Sequence, residues 1–198
     1  MNGAFKYVKW ILLFVATSMI IGLSGFVFYL ETSIDKIMSK DKQKELMSAI
    51  NLSSELPDSF YVTFSKYYPK AFEQNVWGSI IFQSFGIRTN ECQCQEIYIH
   101  PGYTDKWIEF TQPIVALEIE EHCSNKKCFE YNMSVSDFGM NIIGIQEASR
   151  RFYNKEIDKL SEREIVELMV IKKAPGQYNP ITNRSNLDLI VNKIINKN

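Results

Sequence analysis

Residues Gly144–Pro180 read GIQEASRRFYNKEIDKLSEREIVELMVIKKAPGQYNP, and their pattern decides the fold. Ile145, Ala148, Phe152 and Tyr153 recur at helical spacing, with Arg150, Arg151 and Lys155 on the wetter side. Ser161 and Glu164 stand at capping-box spacing. The serine hydroxyl accepts from the Glu164 backbone N–H, and the Glu164 carboxylate accepts from the Ser161 N–H. A second helix therefore starts after Ser161 and carries Ile165, Leu168, Met169 and Lys172. Ala174-Pro175-Gly176 ends it, because proline lacks an N–H and restricts the residue before it. By itself this is a helical hairpin of a globular core.

A set of letters within the stretch makes the reading narrower. Gly144, Ile145, Ala148, Phe152, Tyr153, Lys155, Leu160, Ser161, Glu164, Leu168, Ala174, Pro175, Tyr178, Asn179 and Pro180 follow one another without a gap in an order that resembles the family 51 glycosyltransferases. Phe138-Gly139, just upstream of Gly144, fits the same pattern. These are the peptidoglycan transglycosylases that also form the polymerising domain of bifunctional penicillin-binding proteins. The resemblance implies a mainly α, lysozyme-like domain in which these residues pack the core and do not carry the reaction. It covers about two thirds of the chain, closest over residues 114–180 and looser over 56–112.

Length and composition agree with one membrane-anchored domain. The 198 residues suffice for an anchor and a domain with its own core. A net charge of -1 argues against a nucleic-acid partner, and 45% hydrophobic content argues against disorder. Trp10 to Leu30 holds no charged residue and is long enough to cross a bilayer. Lys6 and Lys9 precede it and Glu31 follows, so the positive-inside rule sets residues 1–9 in the cytoplasm and the domain outside. The run is longer than the apolar core of a signal peptide and no A-x-A site follows, which favours an uncleaved anchor. The resemblance then implies a single-pass protein of the bacterial inner membrane. Residues 31–54 are polar, with Ile34, Ile37, Met38, Leu46 and Ile50, and read as a helical juxtamembrane stalk or a solvated linker. The domain occupies 55–198.

Four cysteines, Cys92, Cys94, Cys123 and Cys128, make disulfides plausible outside the cytoplasm. Cys92 and Cys94 are too close in sequence to favour each other, so cross-pairing with Cys123 and Cys128 is expected. Free thiols rank second. A zinc site with His100 and His122 ranks last, because C-x-C with C-x4-C is no standard finger spacing. Asn51, Asn132 and Asn183 open glycosylation sequons, which mean little in a bacterial protein.

The chemistry implied by the resemblance joins lipid-linked disaccharide-peptides (lipid II) into glycan strands. A sugar hydroxyl attacks an anomeric carbon and expels a lipid pyrophosphate. The reaction needs a general base and a cationic or metal partner for the leaving group. The family's base is the Glu of E-D-x-x-F, after an L-P-x-x-F approach. Here Leu56, Pro57 and Phe60 match the approach, but Tyr68-Pro69-Lys70-Ala71-Phe72 stands at the motif, with Asn75 at the family's histidine. A phenol with a pKa near ~10 is a poor base at neutral pH. Gly78-Ser79-Ile80-Ile81-Phe82-Gln83-Ser84 resembles the groove-lining G-x-S-T-I-T-Q-Q, with both threonines replaced by apolar residues. Ser79 and Gln83 are its candidate substrate-binding residues. Between these motifs the chain is shorter than the family's donor-side segment.

The family's second Glu, in R-K-x-x-E, has two registers here. Without gaps it falls on Gln112, the preferred register. With three extra residues, Asp105-Lys106-Trp107-Ile108-Glu109 fits, which makes Glu109 with Lys106 the candidate catalytic pair if the protein is active. Glu91 to Gly102 is an added piece whose alternating Ile97 and Ile99 and Pro-Gly end suggest a short β insert. The K-x-x-I-L-x-x-Y-L-N motif is degraded to residues 126–132, and the paired arginines after Pro180 give way to a Leu/Ile/Asn-rich run. Arg150, Arg151, Lys172 and Lys173 are the basic residues left nearby, read mainly as a solvated face.

The expectation is a mainly α, lysozyme-like transglycosylase domain on one N-terminal transmembrane helix, with a short β insert. Loss at several independent motif positions favours a scaffold or regulator of cell-wall synthesis over a polymerase. Its expected partners are the membrane, lipid II or a glycan strand, and other cell-wall synthesis proteins. No cofactor is expected, with Mg the candidate ion if the chain is active.

Overall fold

The structure, a computed structural model, describes residues 2–84, 92–97, 104–106 and 110–197. The described residues form helices α1 (Asn2–Thr32), α2 (Ile34–Ile37), α3 (Lys40–Asn51), α4 (Asp58–Tyr67), α5 (Val76–Ser84), α6 (Thr111–His122), α7 (Asn125–Val135), α8 (Ile145–Tyr153), α9 (Glu162–Lys173) and α10 (Arg184–Ile195). Among them the β structure is one isolated bridge, Asp137 to Ile143. The expected β insert is not borne out where it can be followed. Cys92–Ile97 is a turn, closed by the Gln95 and Glu96 N–H groups on the Cys92 carbonyl, and Ile99 lies outside the described residues. Ile97 is buried because it packs into a helical core, not because it belongs to a strand.

Within α1, Tyr7–Thr32 is a 26-residue apolar stretch of mean hydropathy 2.3 with none of its most apolar window buried, long enough to cross a membrane. Its last turn does not stand clear of the domain: Leu30 is buried. The stretch read as a stalk is helical, and its apolar positions are core positions. Ile34, Ile37, Met38, Leu46, Met47 and Ile50 are all buried, with α2 on α6 and α3 on α7. Packing therefore has no boundary at residue 54.

Two apolar clusters result. One gathers these residues with Val76, the Cys92–Ile97 turn and α6. The other is built from α4, α7, α8, α9 and α10 around Phe60, Phe64, Phe129, Phe138 and Leu168. Phe64 and Phe129 stack with centroids 4.5 Å apart. The capping box forms as its spacing demands: the Ser161 N–H donates to Glu164 Oε2 at 2.8 Å, and the Ser161 hydroxyl oxygen accepts from the Glu164 N–H at 3.4 Å. α9 stops at Lys173, one residue before Ala174-Pro175.

Gly144 is the tightest joint. It caps α8 at φ 85° and ψ 148°, a region open to little but glycine, and a Cβ there would meet the Ser134 carbonyl oxygen at 2.6 Å. Gly144→Ala is expected to cost at least about 2 kcal/mol from backbone strain and clash together. Urea unfolding checks it: an unchanged midpoint would mean that the turn relaxes freely.

Candidate functional site

Two helix ends, those of α4 and α9, and one turn meet around Tyr68. The C-terminus of α4 carries Tyr68, whose N–H closes the helix on the Phe64 carbonyl. Its half-buried ring lies 5.0 Å from that of Phe64, with the Lys173 ammonium 4.7 Å from its face. Beside it, Lys172 Nζ pairs with Glu96 Oε2 at 3.1 Å, and the two side chains are only 14% and 17% exposed. Lys172 is thus no solvated helix face. Burial, then the Glu96 charge, pushes the Tyr68 phenol above its ordinary pKa. At neutral pH this hydroxyl keeps its proton and can donate a hydrogen bond, but it cannot act as a general base.

The Cys92–Ile97 turn that carries Glu96 is fastened from several sides. Cys94 is disulfide-bonded to Cys128 of α7. Gln112, in the first turn of α6, donates through Nε2 to the carbonyl oxygens of Gln95 and Ile97, both at 3.1 Å. Only an amide serves here, because a carboxylate at this place would face two carbonyls with no proton to share. At the start of α7, Asn125 donates to the Phe72 and Gln74 carbonyls at 3.3 and 2.8 Å, and its oxygen lies 3.1 Å from Cys92 Sγ. Cys92 and Cys123 are free and buried, so one of the anticipated cross-pairings exists and these two cysteines stay thiols. Burial pushes Cys92 up to about 11 and raises Cys123 as well. A zinc site on the four cysteines does not fit, because two of the sulfurs are consumed by the bridge; His100 lies outside the described residues.

The remaining sequence candidates are dispersed. Ser79 is fully buried on α5, with no hydrogen-bond partner for its hydroxyl among the described residues. Gln83 lies one turn further along the same helix. Lys106 is exposed on the α2 side, its backbone N–H on the Ile37 carbonyl, while Asp105 pairs with Lys42 at 2.6 Å. Glu109, with Trp107 and Ile108, lies outside the described residues. Glu118, Glu121 and His122 bring ligand atoms within 4.8 Å of one another at the surface, where His122 sits on Glu118 at 3.2 Å as an i,i+4 pair.

Two buried carboxylates were not legible as such. Glu167, 1% exposed, accepts from the Tyr153 hydroxyl at 2.9 Å and pairs with Arg163 at 3.1 Å and Arg184 at 2.7 Å. Both arginines also hold Asp188 of α10. Arg184 therefore does structural work after Pro180, where paired arginines were found missing. The available signal was a lone Glu in the otherwise apolar run Ile165–Ile171. Glu130 on α7 accepts from the Tyr61 hydroxyl and pairs with Lys127 at 2.7 Å, at the wall of a cavity of about 350 Å³ that reaches Gly144 and Arg150.

The transglycosylase family matches residues 92–198, more than half of the chain. The match begins at the Cys92–Ile97 turn and includes Gln112 and α6–α10; α4 and α5, with Tyr68, Ser79 and Gln83, precede it. The chain is 38% identical over 68 residues to penicillin-binding protein 1F of Bacillus subtilis, which is 34% of this chain and 10% of that protein. It is 30% identical over 88 residues to penicillin-binding protein 1A of Neisseria cinerea, 44% of this chain and 11% of that one. A biosynthetic peptidoglycan transglycosylase of Shewanella frigidimarina is 30% identical over 69 residues, 35% of this chain and 30% of that protein. The chain thus spans less than a third of the length of these relatives.

Two outcomes follow from this geometry. Gln112→Glu loses both bonds to the turn and sets a carboxylate against its carbonyls, a cost of about 1–3 kcal/mol. Hydrogen exchange should rise across Cys92–Ile97 while α8–α10 stay protected; equal protection in both proteins would remove Gln112 from this role. Iodoacetamide at about pH 8 should leave Cys92 unlabelled in the folded protein, since its thiolate appears only as the pH nears 11, and label it after unfolding. Rapid labelling before unfolding would contradict a buried thiol.

Proposed function

The chain belongs to the transglycosylase family, the family 51 glycosyltransferases of peptidoglycan synthesis, and from that premise we propose that it serves cell-wall assembly as a membrane-held binding or regulatory member that does not itself polymerise lipid II. One observation carries the reading: the Gln112 amide, which takes the second carboxylate position in the ungapped register, is committed as a donor to two backbone carbonyls. It has neither a negative charge nor a lone pair of useful basicity for a sugar hydroxyl. Tyr68 at the first position is consistent with this, being a phenol held protonated by its surroundings.

In this reading the fold is kept to hold lipid II or a glycan strand, or a cell-wall synthesis protein, at the inner membrane. α1 is the single crossing, with the N-terminus inside and the domain outside. The identities with penicillin-binding proteins 1A and 1F and with the Shewanella transglycosylase support the peptidoglycan setting. Nucleic acid has no place in it, and binding alone requires no cofactor.

A second reading has one observation in its favour. Glu96 brings a carboxylate to the Tyr68 neighbourhood, beside Lys172. A polymerase could then draw on that group, or on Glu109 with Lys106, with a divalent cation such as Mg on the leaving pyrophosphate. The deciding measurement is lipid II polymerisation by the detergent-solubilised protein, with Glu109→Gln and Glu96→Gln alongside and an intact family member as control. No polymer from any of the three, while the control works, is the expected result. Polymer from the unaltered chain that either variant abolishes would overturn the non-polymerising reading and name the carboxylate.

A further inference from the structure

Three of the four cysteines meet at one amide. Asn125 turns its nitrogen to the Phe72 and Gln74 carbonyls, so its oxygen faces the Cys92–Ile97 turn. The Cys92 thiol donates to that oxygen at 3.1 Å, and Cys94 Sγ lies 3.6 Å from the same atom. Cys94 is bonded to Cys128, which follows Asn125 along α7. A free thiol therefore stands beside a disulfide, and one side chain touches both. All three cysteines are at most 1% exposed, so an external thiol is kept out while the internal one is already in place. Cys123, the other free thiol, has its sulfur elsewhere, 3.8 Å from Met47 Sδ.

A thiol in this position has one reaction open to it that consumes no reagent. Thiol–disulfide exchange needs a thiolate within reach of a disulfide sulfur, and it leaves the number of disulfides unchanged. Glu120 Oε1, 3.6 Å from Cys92 Sγ, is there to take the proton. Burial opposes the thiolate, while the Cys94 and Gln95 N–H groups favour it. Attack on Cys94 would close a ring across the single residue Gln93, which disulfide geometry disfavours. Attack on Cys128 closes no such ring.

We propose that Cys128 is shared: the turn is clasped to α7 through Cys94, as here, or through Cys92, and the two forms interconvert by internal exchange. Glu120 takes the Cys92 proton and the thiolate attacks Cys128 Sγ. The Cys92–Cys128 bond forms as the Cys94–Cys128 bond breaks, and the departing Cys94 thiolate takes up the proton left on Glu120. No electron is gained or lost.

The clasp sets where Glu96 stands. Glu96 is the second residue beyond Cys94 but the fourth beyond Cys92, and two residues of chain span up to ~7 Å. A slide of that order parts Glu96 Oε2 from Lys172 Nζ, now 3.1 Å apart. Lys172 is then released beside Lys173 and Tyr68. The exchange thus adds a free cation to this corner whether or not the chain polymerises. Gln112 decides which form rests. Its amide holds the Gln95 and Ile97 carbonyls, and these bonds must yield before the turn slides. The Cys94 clasp is accordingly the ground form and the Cys92 clasp the minor one.

The test uses the full chain in detergent, purified without reductant. The unaltered protein and Gln112→Ala are held at about pH 8.5, quenched in acid, denatured and alkylated with N-ethylmaleimide. Fragmentation of the peptide that holds both Cys92 and Cys94 shows which of them carries the label. The expected label is on Cys92 in the unaltered protein, with a minor share on Cys94 that rises severalfold in Gln112→Ala. Label on Cys92 alone in both proteins would overturn the shared clasp. Cys94→Ser, treated with oxidised glutathione, approaches the same question from the other side. In the folded variant, with α8–α10 protected from hydrogen exchange as before, the expected bond is Cys92–Cys128. Cys128 left free there, or bonded to Cys123, would equally overturn it.

Discussion

α7 is the member on which the rest of the structure leans, because both cores are built against it. Cys128 belongs to the cluster around α6 and the juxtamembrane helices, while its neighbour Phe129 and Met133 belong to the cluster around α9. A helix can serve two cores only if opposite faces are both apolar, and the residues between them must then be satisfied internally. Asn125, Lys127 and Glu130 do this, through the Phe72 and Gln74 carbonyls, the Ser53 carbonyl and the Tyr61 hydroxyl. The Cys94–Cys128 bridge fixes the six-residue turn to this same helix. Through Glu96 and Lys172 the turn then reaches α9 in the opposite core. The α4–α9–turn corner holding Tyr68 thus inherits its geometry from α7.

What the sequence made legible was local. The Ser161–Glu164 box, the stop before Pro175 and the period of α8 are set by neighbours along the chain, and each appears where the pattern requires it. What it hid was choice of partner. Ile34, Ile37, Met38, Leu46 and Ile50 were read as apolar residues of a stalk or a solvated linker, because local spacing does not say what a helix packs against. The answer, α6 and α7, turns a stalk into core. The Ile97–Ile99 alternation was read as a strand because spacing of two is strand spacing, yet Ile97 is buried from a turn held by Gln112. Cysteine spacing could exclude one pairing but not select between the others. Glu167 and Arg184 escaped notice because a salt bridge across 17 residues leaves no periodic trace.

The candidate site shows the same division. Sequence comparison gives the identity of the residue at each position, and only the fold gives its occupation. In the ungapped register Gln112 stands where the family has its second Glu; that its amide bolts the neighbouring turn was not legible. A Gln with no partner could be exchanged for Glu at little cost, whereas one that donates to two carbonyls cannot. The disulfide and the Glu96–Lys172 pair have closed around that arrangement. Lys172 is spent on an internal carboxylate, and the ammonium left open beside the phenol is that of Lys173.

A domain bolted to its membrane helix differs physically from one that swings on a linker. A flexible tether samples many heights and orientations, and ordering it on a ligand costs free energy. Here Leu30, Ile34 and Ile37 fix the exit of α1 into the domain core, and Phe26 fixes it again against Phe110. Orientation is settled on folding, before any ligand arrives. For a catalyst such rigidity helps only if the reactive groups are also present. For a binding module it is sufficient, because the apolar tail of a lipid-borne ligand already lies in the bilayer and its polar head is confined near the surface. A site held at fixed height over that surface meets the head at a high effective concentration without any gain in contact energy. The rigid junction is therefore a property that the proposed binding role has reason to keep.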